Sequence, residues 1–165
     1  MEPISLRKLK IKDAPLMLEW MQDPSIACFF RFDAQNMTVA DCEKFIESID
    51  DDSDSIHYAI VNEDDEYLGT ISLKNIDHQK QEAEYAISTR KKAHGTGAAM
   101  TATKEILRIA FEELQLQRVY LNVLTENGRA NAFYLKVGFR FDYCEENAVE
   151  INGVKRSLNW YSIIR

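Results

Sequence analysis

The chain has 165 residues, enough for one domain with its own core and too few for a second. Hydrophobic residues make up 45% and charged residues 28%, which excludes a globally disordered chain. With 27 Asp and Glu against 20 Lys and Arg, the net charge of −7 argues against a general nucleic-acid or anionic-membrane binder.

The first element is a strand over residues 4–11, where Ile4, Leu6, Leu9 and Ile11 alternate with polar residues and slip once, as at a bulge. Asp13 is a candidate N-cap and Pro15 suits a first turn, so a helix follows, with Leu16, Leu18, Trp20 and Met21 apolar, ending at Asp23-Pro24. Thr38 and Asp41 resemble a capping box that opens a second helix with Val39, Cys42, Phe45, Ile46 and Ile49 inward. The pattern changes at Ile56, and three antiparallel strands come next, at residues 58–61, 67–73 and 82–88, with an acidic turn and then a Gln79-Lys80-Gln81 turn between them.

From Gly97 to Leu114 the period is helical, with Ala99, Thr103, Ile106, Leu107, Ala110, Phe111 and Leu114 on one stripe. A short apolar strand spans residues 119–124, and a short helix spans residues 130–137, stopped by Gly138. Two final strands join at Asn152-Gly153. This order predicts an α+β domain over residues 1–165, with a mixed sheet. Cys28, Cys42 and Cys144 are scattered and form no zinc-ligand cluster, so a reducing cytoplasm fits best. Neither a secretion leader nor an apolar run near the roughly 20 residues of a membrane span is expected.

Two segments carry the chemistry. Arg90-Lys91-Lys92-Ala93-His94-Gly95-Thr96-Gly97 follows a strand and opens the long helix. A glycine turn there lets backbone N–H groups converge on an anion, and the helix end adds partial positive charge. The same residues also suit a plain tight turn with exposed charges. The segment lacks the Gly-Lys-[Ser/Thr] of a nucleotide-triphosphate loop, and Met100 stands where a dinucleotide fold needs its third glycine. The second segment runs from Asn127 to Phe139 and carries Tyr134, which alone reads equally as an amphipathic core aromatic.

Together, about 30 residues apart, the two segments resemble the GNAT superfamily of acyl-CoA N-acyltransferases. That family carries [Gln/Arg]-x-x-Gly-x-[Gly/Ala], matched here by Lys92, Gly95 and Gly97 with Lys in the first place. It also carries Asn-x-x-Ala-x-x-(aromatic or Leu)-Tyr-x-x-x-Gly-Phe, matched by Asn127, Ala130, Phe133, Tyr134, Gly138 and Phe139. The resemblance implies a mostly antiparallel sheet of about seven strands, splayed at the site and flanked by about four helices. It implies acetyl-CoA as acyl donor, its diphosphate held by the backbone of His94, Gly95, Thr96, Gly97 and Ala98 with Lys92, Lys91 or Arg90 reaching the phosphates. Ile87 and Ser88 would border the pantetheine arm, together with Asn127.

The resemblance makes Tyr134 the general acid for the leaving thiolate and Glu84 the candidate base, although a strand carboxylate of that kind is as readily an ion-paired surface group. His57, His78 and His94 are weaker candidates for the base. The cluster Phe29, Phe30, Arg31 and Phe32 could stack on a sugar or base and meet a phosphate. Residues 18–24, this cluster, and residues 69–77 before 83–87 together resemble bacterial acetyltransferases of nucleotide-linked amino sugars and, less closely, those of ribosomal-protein N-termini. The resemblance therefore implies a small amine as acceptor, foremost an amino group on a nucleotide-linked sugar. A protein N-terminus or lysine is the alternative acceptor, and a non-catalytic acyl-CoA-binding module is a third reading. A homodimer is compatible with the resemblance, and with no separate acceptor domain a partner subunit is one source of specificity.

Overall fold

The computed structural model of the protein describes residues 3–27 and 34–165. Seven strands form one sheet in the order β1 (Ser5–Lys8), β2 (Ile56–Val61), β3 (Tyr67–Asp77), β4 (Glu82–Thr89), β5 (Arg118–Leu124), β7 (Val154–Ile164) and β6 (Arg140–Ile151). Every neighbouring pair is antiparallel except β4 and β5, which are parallel. The mixed, mostly antiparallel sheet expected from the sequence is therefore present.

The first strand is shorter than its alternation suggests, and Asp13 explains why. Its buried carboxylate accepts from Arg7 Nη1 at 2.8 Å and Nη2 at 2.9 Å, and from the Lys10 N–H at 2.8 Å. These bonds fold residues 11–13 into a 3₁₀ turn. Asp13 precedes the next helix but makes no side-chain cap to it, a correction to the expected N-cap.

Five α-helices follow, one more than expected: α1 (Ala14–Gln22), α2 (Pro24–Ala27), α3 (Val39–Ser48), α4 (Ala98–Arg108) and α5 (Gly128–Val137). The addition is α2, because Pro24 both halts α1 and opens a new turn where its missing N–H costs little. Thr38 forms the capping box of α3, its Oγ1 accepting from the Asp41 N–H at 3.2 Å while Asp41 Oδ2 accepts from the Thr38 N–H at 2.9 Å.

The helices cover the two faces of the sheet separately. On one face α1 and α3 bury Met17, Trp20, Met21 and Cys42 against Ala59, Val61 and Tyr67. On the other, α4 and α5 bury Ala102, Ile106 and Tyr134 against Ile71, Leu73, Tyr85 and Leu121. Thr103 sits in this second core because its hydroxyl pairs with the Tyr85 hydroxyl at 2.7 Å, which satisfies both buried polar groups. Gly138, at φ 121°, terminates α5, and Asn152-Gly153, at φ 52° and 79°, makes the tight β6–β7 hairpin.

The feature that positions the site is a divergence in mid-sheet. Between β4 and β5 only Glu82↔Arg118, Ala83↔Val119 and Glu84↔Tyr120 are paired. Beyond them β4 stays with β3 as far as Gly69↔Thr89, and β5 stays with β7 as far as Leu124↔Leu158. The two halves of the sheet part after Glu84 and Tyr120, and the backbone edges of residues 85–89 and 121–124 face a wedge. This is the splay expected from the sequence.

Candidate active site

A cleft of about 770 Å³ occupies the wedge, bounded by β4, β5, the loop before α4 and the first turns of α5. Its loop wall is shaped by two left-handed glycines, Gly95 at φ 77° and Gly97 at φ 85°. A Cβ on Gly95 would meet nothing within 4 Å, so glycine there supplies a backbone conformation and not room. The turn uses up some donors internally: His94 N–H donates to Lys91 O, Thr96 N–H to Ala93 O, and Ala98 N–H to Thr96 Oγ1. Among the described residues, the N–H groups of Gly95, Gly97, Ala99 and Met100 have no protein acceptor. Four unpaired donors at the positive end of a helix form a cradle that fits a diphosphate.

The expected cofactor contacts divide on inspection of this loop. Ile87, Ser88, His94, Gly95, Gly97 and Asn127 line the cleft. Thr96 and Ala98 do not line it. The Thr96 hydroxyl donates to Ala93 O at 2.6 Å and accepts from Ala98, so both residues build the turn from inside.

Two of the three cations named by the sequence are paired with carboxylates, while Lys91 is exposed in the turn of residues 91–93. Arg90 is buried, with Nε 2.6 Å from Glu19 Oε2 and Nη1 2.9 Å from both Glu66 Oε2 and Tyr67 O. Lys92 Nζ lies 2.8 Å from both Glu66 oxygens and does not line the cleft. Lys92 foremost, and then Arg90, hold the Glu66 carboxyl down to about 2. Instead Arg129, on the first turn of α5, faces the cleft with Nη1 2.7 Å from His94 Nδ1. Burial and the nearby Arg129 charge push the His94 pKa down, which suits a neutral ring accepting at Nδ1.

Asn127 caps α5 by accepting from the Ala130 N–H at 3.3 Å, and among the described residues its Nδ2 has no protein acceptor. Four residues on, Asn131 anchors the same helix. It donates to Leu124 O at 3.1 Å and Asn127 O at 2.8 Å, and it accepts from Tyr161 at 2.6 Å and Asn159 at 2.9 Å. Neither Arg129 nor Asn131 stood out in the sequence, although both lie inside the second motif.

Tyr134 is 8% exposed, edge-on to Tyr85 with ring centroids 5.8 Å apart and against Phe139 at 5.9 Å. These contacts fix the ring, while among the described residues the hydroxyl makes no protein hydrogen bond, and Tyr134 lines the cleft. Burial pushes its pKa well up, so the phenol keeps its proton at neutral pH. Glu84 stands at the last β4–β5 pair, lines the cleft, and lies 3.5 Å from Lys74 Nζ and 3.4 Å from Asn75 Nδ2. His57 is outside the cleft, its Nδ1 2.6 Å from Ser72 Oγ. Phe29, Phe30, Arg31 and Phe32 lie outside the described residues. Among the described residues no cluster of metal ligands occurs, and no helix is long and apolar enough to cross a membrane.

A model of the acetyltransferase (GNAT) domain matches residues 4–140. A protein of Bacillus subtilis (strain 168) with the provisional name ribosomal N-acetyltransferase YdaF is 29% identical over 172 residues, covering 99% of this chain and 92% of that one. The spermidine N(1)-acetyltransferase of Escherichia coli (strain K12) is 33% identical over 98 residues, 59% of this chain and 53% of that one. Among solved structures, the spermidine N-acetyltransferase of Vibrio cholerae in complex with CoA and spermine superposes with a TM-score of 0.88 at 21% identity, covering 98% of this chain and 95% of that one.

Proposed function

This chain belongs to the acetyltransferase (GNAT) family and is an acetyl-CoA-dependent N-acetyltransferase, and on that premise we propose that its acceptor is a small primary amine carrying further positive charge. The observation that carries the acceptor proposal is the Glu84 carboxylate on the cleft wall where β4 and β5 diverge; the transfer chemistry draws on the Tyr134 hydroxyl, protonated and without a protein partner among the described residues. Acetyl-CoA supplies a thioester carbonyl for the amine to attack and a thiolate to leave. The N–H groups of Gly95, Gly97, Ala99 and Met100 bind the diphosphate. The backbone of residues 86–88, unpaired toward β5, runs beside the pantetheine arm, and Asn127 Nδ2 donates to it. Glu84 takes the proton that the attacking ammonium must shed, directly or through a water. Tyr134 donates its proton to the leaving sulfur, and burial keeps that proton in place beforehand.

Charge favours a cationic acceptor. Glu84, across from Tyr120 at the last β4–β5 pair, lines the cleft, while the Tyr120 ring lies outside it with the Arg118 guanidinium 5.0 Å from its centroid. A carboxylate on the cleft wall suits a cationic amine, and the −7 chain attracts one. The name of the E. coli relative agrees with this choice. A protein N-terminus is the second reading, favoured by the near-full-length match to the B. subtilis protein. The amino-sugar reading drew on residues 18–24, 29–32, 69–77 and 83–87, and none of the relatives named above is an amino-sugar acetyltransferase.

Thiol release from acetyl-CoA with spermidine, spermine, basic peptide N-termini and UDP- or dTDP-amino sugars separates these acceptors. The expected result is a kcat/KM for the polyamines at least about ten-fold above every other class, a difference of about 1.4 kcal/mol in transition-state binding. Faster turnover of an amino sugar or of a peptide overturns the acceptor assignment.

A further inference from the structure

Most described arginines are paired with carboxylates; Arg165, at the chain end and outside the cleft lining, reaches Gln115 instead. Arg7, Arg90, Arg108, Arg118, Arg140 and Arg156 each lie within 4.0 Å of an Asp or Glu. Arg129 does not: among the described residues its partner is the His94 ring at 2.7 Å. It also faces the cleft, on the α5 turn opposite the Gly95–Gly97 cradle. Lys74, another cation lining that cleft, is paired with Glu84. Lys136 lies in the last turn of α5, seven positions beyond Arg129.

A guanidinium has five N–H donors in a fixed fork that matches phosphate oxygens, and one neutral ring nitrogen satisfies little of that capacity. The charge is left uncompensated next to four unpaired backbone N–H groups that also seek an anion. Asp23 and Lys91 are the other charged neighbours of His94. Asp23 is itself engaged by Ser25, whose N–H and hydroxyl donate to it at 3.0 Å and 2.7 Å.

We propose that Arg129 is a phosphate ligand of the acyl donor, and that His94 is its resting partner, exchanged for a phosphate oxygen when the donor binds. The proposal rests on the cofactor reading above and adds to it the cation that Arg90 and Lys92 do not provide. The His94–Arg129 contact joins the loop before α4 to the start of α5 across the mouth of the cleft. Exchanging it for a shared phosphate keeps those two elements joined through the ligand.

Calorimetric titration of CoA, dephospho-CoA and pantetheine into wild-type protein, Arg129→Gln and His94→Ala tests this exchange. Arg129→Gln is expected to weaken CoA about ten-fold or more, the range of a charge-assisted hydrogen bond. Pantetheine, which has no diphosphate, is expected to bind the variant and the wild type alike. His94→Ala is expected to change CoA affinity by less than about three-fold, because it removes only the resting partner. Loss for CoA alone assigns Arg129 to the 3′-phosphate, loss for dephospho-CoA as well assigns it to the diphosphate, and either supports the proposal. CoA affinity in Arg129→Gln within two-fold of wild type overturns it. An equal loss in His94→Ala also overturns it, because the bridge and not the guanidinium would then build the site. Arg129 is exposed, so the substitution leaves the core untouched, and an unchanged melting temperature verifies this. Wild-type protein that fails to bind CoA contradicts the cofactor reading instead.

Discussion

Tyr134 combines two properties that separate a reacting group from a packing group. Its ring is held by Tyr85, Phe133, Phe139 and Tyr161, with centroids 5.6 to 6.1 Å away. Its hydroxyl meanwhile has no protein partner among the described residues, and the residue lines the cleft. Removing that hydroxyl leaves no buried group unpaired, so Tyr134→Phe is expected to fold as stably as wild type. Loss of a general acid lowers turnover by about 10²-fold or more, while CoA affinity stays within about two-fold. Steady-state kinetics beside a CoA titration checks both, and an unchanged kcat removes Tyr134 from the mechanism. Gly95, Gly97, Asn127 and Tyr134 are legible in the sequence because each does its work through local conformation or its own chemistry. The cations are not, because their fates are decided by distant partners. Arg90 is neutralised by Glu19, 71 positions away, and by Glu66, 24 positions away; Lys92 by Glu66, 26 positions away. Arg129 is identified by its place on the cleft wall together with the lack, among the described residues, of a carboxylate partner.

At the scale of elements, the site is made by what β4 does on its two edges. One edge is locked to β3 along its length, and the other leaves β5 after three pairs. Gly69, on β3, lies under the end of β4. A Cβ there would stand 2.6 Å from Ser88 O and 2.9 Å from Thr89 Cα, both backbone atoms that cannot swing aside. Gly69→Ala must therefore push β4 at the residues that border the pantetheine arm. The expected cost is about 1–3 kcal/mol, or roughly 2–10 °C in Tm, together with weaker CoA binding. A melt and a titration that both match wild type would contradict this account of β4. The succession of strands along the chain was readable from alternation and turn residues, and the Asn152-Gly153 hairpin from its turn residues, whereas the place of β7 between β5 and β6 was not. The early end of β1 was not, because it depends on the Asp13 carboxylate turning back to Arg7 and Lys10. Nor was α2, since Pro24 stops one helix and starts another with the same fixed φ.

Across the whole molecule, the −7 charge is distributed with a purpose that composition does not reveal. Carboxylates pair with Arg90 and Lys92 around the loop before α4, and the backbone N–H groups, Lys91 and Arg129 are left there. On the opposite side Glu84 lines the cleft, with Lys74 3.5 Å away. The cleft thus offers an anion-seeking loop and a carboxylate on its strand wall, which suits transfer from a phosphorylated donor to an amine. The acceptor was the least legible feature, because the aromatic cluster at residues 29–32 has no single chemical meaning while Glu84 and Tyr120 come together only through a parallel pairing 36 positions apart. The central claim, that the diverging strands hold the acyl donor with its sulfur at Tyr134, is tested most directly by a crystal structure of the protein with CoA. The account predicts the diphosphate on the N–H groups of Gly95 and Gly97, the pantetheine arm along residues 86–88, and the sulfur within about 3.5 Å of the Tyr134 hydroxyl. CoA seated outside the wedge, or its sulfur turned away from Tyr134, would contradict it.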